Sequence, residues 1–204
     1  MARKQKILAL AGSLRKHAYS KRVLKTAIKG AADAGAEVTY IDLGDYPMPL
    51  YNADDHERDG FDENALKLQK LLHAHDGLLV ASPEYNGSLS GVLKNALDWT
   101  SRPSGEFKMG EVFGGKVGAI ITESPGAFGG LRCLGHLRSI LSILGVNVLP
   151  SEIAVSKVHG MFDGDDEAMT DAKMKKLLED LGASLVDTLH KLHGEIEVVT
   201  DTSS

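Results

Sequence analysis

The chain has 204 residues, of which 43% are hydrophobic and 25% charged, a length that suits one domain, placed by this reading at residues 1–195. A formal net charge of −5 argues against a general nucleic-acid or membrane-surface role, and no apolar run approaches the ~20 residues of a membrane-spanning helix. Cys133 is the single cysteine, which excludes an internal disulfide and leads to the expectation of a reducing, cytoplasmic location.

The charged start, Met1 to Lys6, precedes a short apolar run, Ile7 to Ala11, which is too brief for a secretory leader and reads as a first strand. Gly12 to Ser20 follows and runs into a helical pattern with Val23, Leu24, Ala27, Ile28 and Ala31. A strand, a hydroxyl-bearing loop and a helix in that order make an anion pocket, because the free N–H groups and dipole of the helix start favour negative charge. Ser13 and Ser20 add hydroxyl donors, and Arg15 adds a fork suited to phosphate oxygens. The loop matches neither the G-x-G-x-x-G spacing of dinucleotide folds nor the Gly-Lys-Ser/Thr ending of the P-loop. A single phosphate monoester is the ligand it suits; taken alone, the segment also reads as an ordinary strand-to-helix turn with a serine cap.

Val38 to Ile41 is less uniformly apolar and suits a sheet edge, and Asp54 to Asp59 reads as a solvated loop. Leu78 to Ala81 and Val117 to Ile121 are the third and fourth strands; Val146 to Leu149, leading into Ile153 to Val155, is a weaker fifth. Helical stripes lie between and after them, at Leu89 to Leu97 and from Met174 to Leu192. The helix from Gly130 to Leu144 is apolar over more than one face, which marks deep burial or a subunit contact, and a homodimer or homotetramer is expected. The alternation predicts an α/β fold: a doubly wound five-stranded parallel sheet of order 2-1-3-4-5 in three αβα layers. Asp163 to Glu167 reads as an acidic start to the last helix, and residues 196–204 read as a mobile tail.

In such sheets the ligand lies beyond the carboxyl ends of the strands. Three loops occupy that place: Ser13 to Ser20, Ser82 to Ser88 and Thr122 to Gly130. A phosphate pocket beside two glycine-bearing loops, one with the aromatic Tyr85, suits a flat heteroaromatic phosphate.

At Gly12-Ser13-Leu14-Arg15, Leu43 to Asn52, Pro83-Glu84-Tyr85-Asn86-Gly87-Ser88, Gly91 to Trp99, Ser124-Pro125-Gly126 and Gly129 to Arg132 the sequence closely resembles the NAD(P)H-dependent FMN reductases of the flavodoxin-like fold. That family includes quinone, azo and chromate reductases. The resemblance implies non-covalent FMN, with NADH or NADPH as co-substrate and a quinone, free flavin, azo compound or metal oxyanion as acceptor. It places the phosphate on Ser13, Arg15, Ala18, Tyr19 and Ser20, and the ring against Pro83, Glu84, Tyr85, Asn86 and Gly87, with Ser124 and Gly126 closing another edge. Family members often carry a hydroxyl where this chain has Ala18 and asparagine where it has Ser20, so a weaker hold on phosphate is implied. No side chain is required as a catalytic acid or base; Glu84 reads as a residue that holds its loop or meets a neighbouring subunit. The rival readings are a flavodoxin-type electron carrier and a flavin-binding sensor without turnover.

The remaining candidates carry little. His73 and His75 sit two apart on an expected helix and cannot face one metal, and no third ligand lies near His190 and His193. Metal binding is not expected, and Cys133 reads as a packed side chain. The segment Arg102 to Gly115 fits no element of the pattern.

Overall fold

The computed structural model describes residues 3–164 and 168–193. Six parallel strands, β1 (Lys6–Ala11), β2 (Glu37–Asp42), β3 (Gly77–Pro83), β4 (Val117–Glu123), β5 (Asn147–Val148) and β6 (Ile153–Val155), form one sheet of order β2-β1-β3-β4-β5, with β6 also on β4. This is the doubly wound order that the sequence predicts. Helices α1 (Tyr19–Asp33) and α6 (Ala172–His193) cover one face, and α3 (Glu63–Ala74), α4 (Gly91–Thr100) and α5 (Leu131–Ile143) cover the other.

Alternation along the strands sorts the core into two layers. Ile7, Ala9, Leu79, Val117, Ala119 and Ile121 pack under α1 and α6, whereas Leu8, Leu10, Leu78, Val80 and Ile120 pack under α3, α4 and α5. Both faces of β3 and β4 are buried along their whole length. Continuous apolar runs are the sequence signature of such strands, because both faces pack against helices and polar residues enter only at the carboxyl ends, at Ser82, Thr122 and Glu123. On the first face α1 and α6 meet at glycines: a β-carbon built on Gly30 would overlap the Glu179 carbonyl, and one on Gly182 would overlap that of Ala27.

Four expectations need correction. The fifth strand is two short ones, with β5 beside Val117 and Gly118 and β6 beside Ile121 to Glu123. Pro150 lies between them and has no N–H for the ladder. Arg138 of α5 turns its guanidinium onto the interruption, donating to Glu152 at 2.7 Å and to the carbonyls of Val148 at 3.3 Å and Leu149 at 2.6 Å.

Asp54 to Asp59 is not a loop but belongs to a short exposed helix, α2 (Ala53–Asp59). Asn52 caps it, accepting from the Asp54 N–H at 3.0 Å, and His56 meets the rings of Phe61 and Trp99. Of the acidic run expected to open the last helix, Asp163 and Gly164 lie before it, since α6 starts at Ala172 and Asp171 accepts from the Met174 N–H at 2.8 Å; residues 165–167 lie outside the described residues. His75 lies just beyond α3 rather than on it, with its ring nitrogens at 2.6 Å from the Leu71 carbonyl and 2.8 Å from the Thr39 hydroxyl. It is a buried, fully partnered side chain.

The unplaced segment Arg102 to Gly115 is an irregular connection that inserts Val112 and Phe113 into the core beneath α3, α4 and α5. Gln69 ties its start, donating to the carbonyls of Thr100 and Arg102. Helix α5 buries Cys133, Leu134, Leu137 and Leu141 and leaves Leu131 57% and Ile143 86% exposed. Helix α6 lies on the opposite face of the sheet, so it cannot cover these residues. The expected tail, residues 196–204, lies outside the described residues. Among the described residues no helix is long and apolar enough to cross a membrane.

Candidate active site

The loops that follow β1, β3 and β4 come together at the carboxyl edge of the sheet. In the first, the Gly12 N–H bonds the Ala81 carbonyl at 2.8 Å, which fixes the loop to β3. The Ser13 hydroxyl accepts from the Arg15 N–H at 3.3 Å. Helix α1 then starts at an N-cap occupied by Ala18, whose extended backbone (φ −68°, ψ 139°) is right for a cap but whose side chain has no oxygen to offer. The Lys21 N–H bonds the Ala18 carbonyl at 3.1 Å, and the N–H groups of Tyr19 and Ser20 are left for an acceptor outside the helix.

The second loop is a tight hairpin in which Tyr85 and Ser88 exchange backbone hydrogen bonds of 2.9 and 3.1 Å. Between them Asn86 (φ 51°) and Gly87 (φ 82°) are both left-handed, as a type I′ turn requires. The turn displays the Tyr85 ring, which is half exposed. Glu84 points the other way: its Oε2 accepts the Cys133 N–H at 3.1 Å, capping α5 from outside, and Arg132 lies 3.7 Å from its other oxygen. That is a loop-holding role, and both carboxylate oxygens face α5. Cys133 is fully buried, and burial pushes its thiol up to about 11.

In the third loop the Ser124 hydroxyl accepts from the Gly126 N–H at 3.1 Å, and the Gly126 carbonyl receives the Lys157 N–H. Gly129 (φ 60°) has no space for a side chain, since a β-carbon would stand 2.5 Å from the Ser156 nitrogen. The exposed Phe128 ring lies under the Arg132 guanidinium at 5.4 Å.

A cavity of about 160 Å³ opens where the three loops meet, lined by Ser13, Arg15, Ala18, Tyr19, Pro83, Glu84, Tyr85, Glu123 and Pro125. Seven of the twelve residues singled out in the sequence therefore share one wall system. Ser20 does not join them: it is fully buried, and its hydroxyl has no hydrogen-bond partner among the described residues. Asn86 and Gly87 form the hairpin tip, and Ser124 and Gly126 bond to each other beside the cavity. Among the residues the sequence reading passed over, Glu123 matters most. It is 5% exposed, and the Ser20 backbone N–H and the Arg15 charge favour its ionised form. Burial, the larger effect, nevertheless pushes its carboxyl up to about 7. One signal could have found it: on β4 it shares the parity of Val117, Ala119 and Ile121, the face that packs on α1.

Comparison with known proteins bears on what this edge does. Residues 5–160 match the family model described as NADPH-dependent FMN reductase. The chain belongs to that family. Its relatives within it include an NAD(P)H-dependent FMN reductase of Pseudomonas aeruginosa, 36% identical over 93% of this chain and 97% of that one. A 2-hydroxy-1,4-benzoquinone reductase of Burkholderia sp. is 38% identical over 86% and 87% of the two chains. A solved flavoenzyme, an NAD(P)H:acceptor oxidoreductase from Paracoccus denitrificans, superposes with a TM-score of 0.74 at 28% identity over 92% of this chain and 98% of the other. The chain is thus an oxidoreductase of the FMN reductase family with the flavodoxin-like fold.

The structure also gives a reason for two of the sequence blocks to occur together. Asn95 and Trp99 of α4 both donate to the Pro49 carbonyl, at 2.9 and 2.8 Å, and Asn95 accepts the Tyr51 N–H at 2.8 Å. The Leu43 to Asn52 stretch is laid along α4 by that pair.

Proposed function

We propose that the protein is an FMN-dependent NAD(P)H oxidoreductase with quinones as its acceptors. The observation that carries this reading is the start of α1: first-turn N–H groups that no side chain at Ala18 caps, with Arg15 beside a cavity that continues to an exposed tyrosine. These donors fit a phosphate monoester. In this reading Ser13, Arg15 and the backbone N–H groups at Ala18, Tyr19 and Ser20 hold the phosphate, and Ser20 contributes its amide rather than its hydroxyl. Pro83, Glu84, Tyr85, Asn86 and Gly87 flank the ring, with Ser124 and Gly126 at its other edge. The bound flavin supplies the redox chemistry between a nicotinamide nucleotide and the acceptor. The chain's own work is to bind, orient and leave one ring face open; Glu84 keeps its loop in place through α5 and moves no proton. The relatives named as quinone reductases support the acceptor class. The exposed Leu131 and Ile143 of α5 support a homodimer or homotetramer.

The test is anaerobic mixing of the FMN-loaded protein with NADH and, separately, NADPH, followed by a benzoquinone. Rapid loss of the yellow colour with at least one nucleotide and its return with quinone is expected. A flavin that neither nucleotide bleaches identifies a carrier or a sensor instead.

A further inference from the structure

The cavity at the start of α1 already holds an anion of the protein's own. Glu123 stands at the end of β4 on the face that meets α1, and it lines the cavity together with Arg15, Ala18 and Tyr19, beside the α1 amides that a phosphate at this helix start would use. A phosphate monoester brings about −1.5 to −2 charges at neutral pH. The charges available to balance two anions there are few. Arg15, from the loop after β1, is the cation lining the cavity, while Lys16 and His17 of that loop are exposed to solvent. From the loop after β3 comes Glu84, tied to the Cys133 N–H and to Arg132, together with the phenol of Tyr85; α1 contributes the phenol of Tyr19, and α5 contributes the neutral, buried thiol of Cys133.

We propose that Glu123 is a proton-controlled part of the phosphate cradle: ionised, it competes with the FMN phosphate for the α1 amides, and protonated, it becomes a donor to that phosphate. FMN binding then takes up one proton from solvent at Glu123. The proposal rests on the reading that this cradle takes FMN. A neutral carboxyl has one O–H to give, so it supplies a donor at a site where Ala18 has none. Burial brings both forms of the carboxyl into the neutral range, since its pKa stands at about 7. The sign follows: a phosphate dianion beside the carboxyl raises that pKa further, so affinity is highest below pH 7 and falls as the pH rises above it.

The experiment is FMN binding to the full chain stripped of flavin, followed by quenching of flavin fluorescence from pH 6.5 to 8.5, with riboflavin in parallel. Above pH 7 the phosphate is past its own second ionisation near 6, so the remaining dependence belongs to the protein. The FMN dissociation constant is expected to rise about fivefold from pH 7 to 8, approaching tenfold per pH unit beyond, while that of riboflavin stays flat. Glu123→Gln should bind FMN with little pH dependence and more tightly than wild type at pH 8.5. Calorimetry of the wild type in two buffers of different ionisation heat should read close to one proton taken up at pH 8; this arm needs no variant. A pH-independent FMN affinity with no proton uptake overturns the role of Glu123 and leaves the FMN reading standing. Failure of both the wild type and a folded Glu123→Gln protein to bind FMN at any pH overturns the FMN reading itself.

Discussion

An alanine at the cap of α1 is a local choice that weakens the helix on its own. Serine or threonine there ordinarily stabilises a protein by about 1 kcal/mol relative to alanine. The backbone at Ala18 already has cap geometry, so Ala18→Ser needs no rearrangement to recover that energy. The flavin-free variant should melt about 2–4 °C above the wild type in a calorimetric scan; an unchanged or lower midpoint would show that the helix start is satisfied in some other way. A neighbouring residue shows where sequence reading stops. Ser13, Arg15 and Tyr19 were legible because a loop between an apolar run and a helical pattern can be placed without coordinates. Glu123 was passed over: its parity with Val117, Ala119 and Ile121 can be counted along the chain, but a run apolar on both faces does not say which parity meets α1. Ser20 shows the opposite: a hydroxyl at the right distance along the chain is buried at the first turn of α1, without a partner among the described residues.

At the scale of elements, the three central strands were readable from composition alone, since burial on both faces makes their leading stretches, Ile7 to Ala11, Leu78 to Ala81 and Val117 to Ile121, continuously apolar. The edges were less so. The division between β5 and β6 depends on Pro150 and on the reach of Arg138 from another element. Helix α2 is polar all round and shows no apolar stripe; its cap at Asn52 and the contacts of His56 with Phe61 and Trp99 hold it. Glycines separate packing from propensity within helices. Alanine normally stabilises a helix interior over glycine by about 0.5–1 kcal/mol. At Gly135 of α5 an added β-carbon meets nothing within 4 Å, so Gly135→Ala should stabilise by that amount. At Gly30 and Gly182 the same change forces α1 and α6 apart, and overpacking of this kind costs about 1–3 kcal/mol. Urea titration of the three variants should therefore give shifts of opposite sign; a stabilised Gly30→Ala would mean that the two helices are not in close contact.

For the whole molecule, the distribution of exposed apolar groups is the informative quantity. Leu131 and Ile143 stand out from α5, and Leu14, Tyr85 and Phe128 stand out from the loops at the carboxyl edge. Between α4 and α5 a groove of about 410 Å³ is floored by Leu89 and Ile140 and edged by Lys94 and His136. Burying such surface is worth about 25 cal/mol per Å², and two-fold pairing is the commonest way to do it. Light scattering at micromolar concentration is expected to give a dimer or tetramer. A single species at the chain mass of 21.8 kDa would rule that out while leaving the enzyme reading intact.

The packing of the first helix on the last has a further consequence, for how the molecule is made. Helix α6 follows every strand of the sheet in the chain, and it supplies Leu178, Leu181, Leu185, Val186 and Leu189 to one of the two core layers. A ribosome that has finished β1 to β6 has finished the sheet but not the covering that α6 adds to that side. Until residues 172–193 have emerged, Val117, Ala119 and Ile121 face water beside a lone α1. That layer can close only once α6 has been made, and until then its apolar surface is open to the contacts that lead partly made domains to aggregate.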